Sequence, residues 1–181
     1  GTPNEFLIKC AELTRTGVGL PAYYNDEVII PALMSRGVTL ADAREYGIIG
    51  CVEPQKPFKT DGWHDAAFFN MCRPLELVFS NGVDKGAQIS IKTGDVEDMT
   101  TFEEFYNAYK AQETYMIGLM VNAINAIDTA HSERVPLPFL SCMVEDCVKE
   151  GKTVQEGGAH YTFTGPQGFG IATMADGLWA V

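Results

Sequence analysis

The sequence predicts an α/β chain in which helix dominates. Three observations carry that class. Apolar residues recur at threes and fours from Phe102 to Ile127, behind a Thr101–Glu104 capping signal. Upstream of residue 50, short amphipathic runs end at Gly17, Gly37 and Gly47. Near the other end, Gly157 to Phe163 alternates as a strand does.

Taken in order, Pro3, Phe6, Leu7, Cys10 and Leu13 have helical spacing, with Thr2 as the expected N-cap and Gly17 as the stop. Residues 17 to 24 read as irregular. Helices follow from about Asp26 to Arg36 and from about Leu40 to Tyr46, the second capped by Thr39. Pro54 and Pro57 forbid a helix in the next stretch, because each lacks an amide donor and fixes φ. From His64 to Ser80 the pattern turns helical, with Phe68, Met71, Cys72, Leu75, Val78 and Phe79 as its buried stripe. The helix after Thr101 runs to about Arg134, about 45–50 Å at 1.5 Å per residue, and its length implies a larger scaffold. Phe139 to Lys149 reads as one more helix, Gly165 to Gly170 as a turn, and Ile171 to Val181 as helix-competent. The glycine order in that turn does not fit a dinucleotide fingerprint.

Composition narrows the function. The 181 residues carry a net charge of -11, which gives no basic footprint for nucleic acid and disfavours an anionic membrane surface. Five cysteines without a CxxC argue against a disulfide framework or zinc site and for a reducing, cytoplasmic compartment. No spacing among the three histidines makes a metal site. The first residues lack the basic and apolar regions of a signal peptide, and no apolar run reaches the roughly 18 residues a membrane span needs.

Chemistry concentrates in Gly50-Cys51-Val52-Glu53-Pro54 and Asp61-Gly62-Trp63-His64-Asp65. If the first run is extended, Cys51 and Glu53 share a face about 6.6 Å apart. Sulfur would then meet one substrate carbon and the carboxylate an attached hydroxyl. Asp65 is a second acid, or the N-cap of the helix expected to follow it. A Cys51–His64 pair for acyl transfer is the competing chemistry.

The quoted runs, with Ala66 to Asn70, Asn25-Asp26-Glu27, Ala130 to Arg134, Gly157-Gly158-Ala159 and Phe163 to Gln167, resemble glycyl radical enzymes of the pyruvate formate-lyase-like superfamily. The nearest branches are the glycerol or propane-1,2-diol dehydratases and the arylacetate decarboxylases. Val52 stands where pyruvate formate-lyase carries a second cysteine. The resemblance implies a ten-stranded β/α barrel of which residues 1–181 are one helix-rich segment of the catalytic domain, the C-terminal glycine radical domain being absent. It implies Cys51 as the thiyl residue, Glu53 as base and Asp65 as acid. No cofactor would be bound. The organic radical would sit on a glycine outside these residues, installed by a radical S-adenosylmethionine activase. The implied full-length form is a homodimeric lyase acting on a small diol, an arylacetate or a sulfonate of the isethionate type. The segment alone is expected to be inactive, an incomplete piece with uncovered sheet edges, or a remnant serving only in interactions.

Overall fold

The structure is a computed structural model describing residues 2–181. The chain divides into two compact units, 1–57 and 58–181.

The first unit holds three helices and a hairpin. Helix α1 spans Asn4–Thr14 and follows an extended Pro3, so the N-cap is Pro3 and not Thr2. Helix α2 is Asp26–Ser35, where the Asn25 side chain accepts from the Glu27 amide. Helix α3 is Leu40–Ala43, capped as expected by Thr39 accepting from the Asp42 amide. Strands β1 (Gly47–Ile49) and β2 (Glu53–Gln55) pair antiparallel, with Ile49 opposite Glu53.

The second unit is built on a long parallel pair. Strand β3 is Thr60–Asn70. The helix expected over 64–80 is therefore corrected: its first half is strand, and only Cys72–Phe79 is helix, α4. The run Trp63 to Phe69 is apolar enough to satisfy a helical stripe, yet on either side of residues 64–66 it pairs with a strand a hundred residues away. Of the expected stripe, Leu75 and Val78 are buried, whereas Phe68 and Phe79 are exposed. Pro74 falls in the first turn of α4, where no intrahelical donor is needed. A two-residue hairpin follows, β4 (Val83–Asp84) with β5 (Ala87–Gln88).

Helix α5 covers Phe102–Arg134, 33 residues, and its Thr101–Glu104 capping box forms as expected. Phe105, Ala108 and Tyr109 pack with Leu75 and Val78 of α4 into the main core of this unit. The Phe79 and Phe105 rings meet at 5.3 Å. Gln112 of α5 is fully buried: its amide donates to the Ile91 carbonyl (2.8 Å) and Thr93 Oγ1 (3.1 Å), and its carbonyl accepts from Ser90 Oγ.

The helix expected over 139–149 is two short ones, α6 (Pro138–Ser141) and α7 (Cys147–Glu150), broken where Asp146 turns left-handed. Cys147, Val154 and Ala159 form a second small core. Strand β6, Tyr161–Phe169, then lies parallel to β3. It begins within the expected 157–163 strand and runs straight through the expected 165–170 turn, which is thereby corrected. Helix α8 is Ile171–Trp179, and its Met174 and Leu178 pack on the main core. Among the described residues, no helix is long and apolar enough to cross a membrane.

Candidate active site

Cys51 lies at the tip of the β1–β2 hairpin, in the three-residue turn Gly50-Cys51-Val52, and is exposed. The extended geometry expected for Cys51 and Glu53 is corrected: Cys51 is in the turn, and Glu53 opens β2. The turn brings the two into direct contact by another route. The backbone amides of Cys51 and Val52 both donate to Glu53 Oε2, each at 2.8 Å. Two converging N–H donors fix the orientation of the Glu53 carboxylate, and one of them belongs to the residue that carries the exposed sulfur. Gly50 makes this possible. Its φ is +63°, and a Cβ there would lie 2.9 Å from Glu53 Oε2. From outside the hairpin, Tyr24 Oη donates to the Cys51 carbonyl at 2.7 Å. The exit is held by Lys56, whose Nζ is 2.6 Å from Glu45 Oε2.

Asp65 belongs to the second unit and is presented differently. Between Trp63 and Ala67, β3 takes four steps while β6 takes two, from Thr164 to Pro166. His64, Asp65 and Ala66 therefore form a bulge, the device that re-aims side chains beside active sites. Gln167 of β6 reaches across and donates its amide N–H to Asp65 Oδ1. Asp65 is a strand residue, not the N-cap of a helix.

Upstream on β3, Asp61 and Trp63 line a cavity of about 320 Å³ together with Asp128, His131 and Gln155. Burial, and next the charge of Asp128, push the Asp61 carboxyl up to about 6. His131 packs edge-on against Trp63, with centroids 5.3 Å apart. His160 bonds Asp146 through Nδ1 at 2.6 Å, and that bond holds the Asp146 carboxyl below the usual range. Burial, then the charges of Asp61 and Asp146, push the Cys147 thiol up, which makes it a poor nucleophile. Among the described residues, no group of three or more His, Cys, Asp or Glu is placed to hold a metal ion.

Sequence reasoning gave roles to Cys51, Glu53 and Asp65, quoted Asp61 and Gln167 only as members of runs, and missed Tyr24 and Asp128. Gly165-Pro166 carried the one available signal for the bulge. Glycine followed by proline inside an apolar, alternating run marks an irregular strand as readily as a turn.

The pyruvate formate lyase-like family profile matches residues 1–181. A Roseburia inulinivorans protein solved for 1,2-propanediol dehydration superposes with a TM-score of 0.90 at 66% identity, over 99% of this chain and 22% of that one. The glycerol-bound form of the B12-independent glycerol dehydratase from Clostridium butyricum gives 0.91 at 63% identity, over 99% and 23%. Among curated proteins, (2S)-3-sulfopropanediol dehydratase of Klebsiella oxytoca is 40% identical over 179 residues, 98% of this chain and 22% of that protein. The chain thus spans less than a quarter of the length of the relatives it matches. The expected class, a helix-rich α/β portion of the glycyl radical enzyme barrel, stands.

Proposed function

The chain belongs to the pyruvate formate lyase-like family, and from that premise we propose that it is the thiyl-cysteine segment of a glycyl radical lyase that removes water from a small 1,2-diol such as glycerol or propane-1,2-diol. One observation carries the reading: Cys51 is exposed at a hairpin tip whose own amide orients the Glu53 carboxylate. The 66% and 63% identities to proteins of diol and glycerol dehydration favour this substrate class over an arylacetate or a sulfonate.

A glycyl radical on a residue beyond these 181, installed by a radical S-adenosylmethionine activase, would supply the hydrogen-atom vacancy on sulfur. Sulfur then takes a hydrogen atom from a hydroxyl-bearing carbon: the C–H bond breaks, S–H forms, and a carbon radical remains. A hydroxyl on a radical carbon is far more acidic than an ordinary alcohol, so Glu53 suffices as the base. The neighbouring C–O bond breaks, and the leaving hydroxyl takes a proton from Asp65 and departs as water. The resulting carbonyl-bearing radical recovers a hydrogen atom from the Cys51 thiol, which restores the vacancy on sulfur. Net, one diol gives one aldehyde and one water, and the proton that Glu53 gained is released to solvent while Asp65 takes one up, which restores both groups.

On this reading residues 1–181 are one segment of the catalytic domain of a homodimeric, cytoplasmic enzyme, inactive without the rest. The test is Cys51→Ser in the full-length activated protein. Aldehyde formation from glycerol or propane-1,2-diol should fall below detection while the glycyl radical signal in electron spin resonance persists. Turnover by that variant overturns the reading.

A further inference from the structure

We infer that Gln167 is a positioning residue for Asp65, holding the acid in place from the neighbouring strand, with Gly165 as the gap that lets the bulge close on it. The inference rests on the dehydration reading above, which gives Asp65 its task. Its physical basis is independent of that reading and lies in the register of β3 against β6.

A bulge leaves its extra residues without ladder partners, so its side chains are aimed only as well as something else holds them. The bulge in β3 carries His64, Asp65 and Ala66, and β6 opposes it with Gly165 alone, between Thr164 and Pro166. A Cβ at Gly165 would stand 3.0 Å from His64 Cα and 3.2 Å from His64 O. Backbone cannot yield to that cheaply, so glycine is what allows the two strands to approach here. Pro166, next in line, has no amide to offer. Gln167 is the first residue past this gap whose side chain reaches back, and it contacts Asp65 Oδ1. Past the bulge the ladder resumes, with Phe68 opposite Gln167, so the backbone that carries Gln167 is itself locked.

An amide suits this task better than a charged or apolar side chain. Its N–H donates to a carboxylate, and its C=O, after a half-turn about the last torsion, accepts from the protonated acid. Asp65 can therefore give up and regain a proton without losing its anchor. A lysine or arginine would tie the carboxylate into its charged form. A methionine, nearly the same shape, would leave it unheld.

The experiment uses the full-length activated enzyme with glycerol as substrate and compares Gln167→Met, Gln167→Glu and Asp65→Asn. For Gln167→Met, kcat should fall about 10-fold or more with KM changed less than about threefold, as for loss of an interaction used in the transition state. The alkaline limb of its kcat profile should move to higher pH, because the carboxylate has lost a donor. Gln167→Glu keeps shape and polarity and guards against a misfolded methionine variant. It too should move the alkaline limb upward, because a second carboxylate beside Asp65 makes the proton harder to remove. A parent-like profile and kcat in Gln167→Met, or a parent-like profile in Gln167→Glu, with Asp65→Asn inactive, overturns the positioning role and leaves the acid role of Asp65 intact. Full activity in Asp65→Asn overturns the acid role itself, and the positioning role with it.

Discussion

The Cys51 hairpin and the Asp65 bulge both present a reactive side chain from β-structure, and they hold it by opposite means. At the hairpin the holding bonds are local. Glu53 binds the amides of the two residues before it, and Gly50 makes the room. At the bulge the hold comes from a hundred residues away, through Gln167 and the gap at Gly165. A local device forms with its own turn. A long-range one forms only once β3 and β6 are in register, so it depends on everything between them.

The comparison can be broken at either end. The largest effect is expected at the hairpin, from Glu53→Gln in the full-length activated protein. It removes the base while leaving an amide that still accepts from the backbone, and kcat should fall about 10²–10⁴-fold. A loss below tenfold in diol turnover would show that Glu53 serves only to shape the turn. Next comes Gly165→Ala, which forces a methyl onto the His64 backbone. It should cost about 1–3 kcal/mol in urea unfolding and lower kcat about 10-fold by displacing Asp65. Unchanged stability and activity would mean that the bulge has slack and that its hold on Asp65 does not depend on the gap at Gly165.

A smaller effect separates charge from geometry on β3. Folded Asp61 holds its proton to about pH 6, against 3.8 for the ordinary group. Between those values the folded state binds more protons than the unfolded one, so stability should fall as pH rises from about 4 to 6. Asp61 is only partly shielded from solvent, so the loss is on the order of 1 kcal/mol after screening. Asp61→Asn should flatten this slope in thermal melts across that window and be the more stable form above it. An unaltered slope would assign the pH dependence elsewhere. The smallest effect is Tyr24→Phe, which removes one bond to the Cys51 carbonyl. It should cost about 0.5–1.5 kcal/mol and lower kcat no more than about fivefold. A larger fall would show that the hairpin is not self-sufficient, which sharpens the contrast in the other direction.

The same division explains what was legible in the sequence. The capping box at Thr101, the cap at Thr39, and the run around Cys51 are written within four residues, and their elements begin where the spacing puts them, although the Thr39-capped helix ends at Ala43 rather than near Tyr46. The β3–β6 pair is not written locally. Trp63 to Phe69 is apolar at spacings that suit helix, and nothing near it announces a parallel partner that starts at Tyr161. The break between α6 and α7 was illegible for a related reason: Asp146 takes a left-handed backbone that glycine would have signalled more plainly. At the site, Cys51 and Glu53 were legible as a pair, but their shared turn was not, because extended and hairpin geometries both keep residues two apart close.

Buried Gln112 has a consequence for α5 that reaches well beyond its own neighbours. Much of this helix is exposed, with Leu119 and Ile127 open, so apolar packing alone would let it slide along its axis at little cost. An amide sealed against Ser90, Ile91 and Thr93 forbids that, since a shift of one turn strands its donors in a dry interior. The residue works as a detent. Sixteen residues on, about 24 Å further along the axis, Asp128 is thereby delivered to the cavity it shares with Asp61.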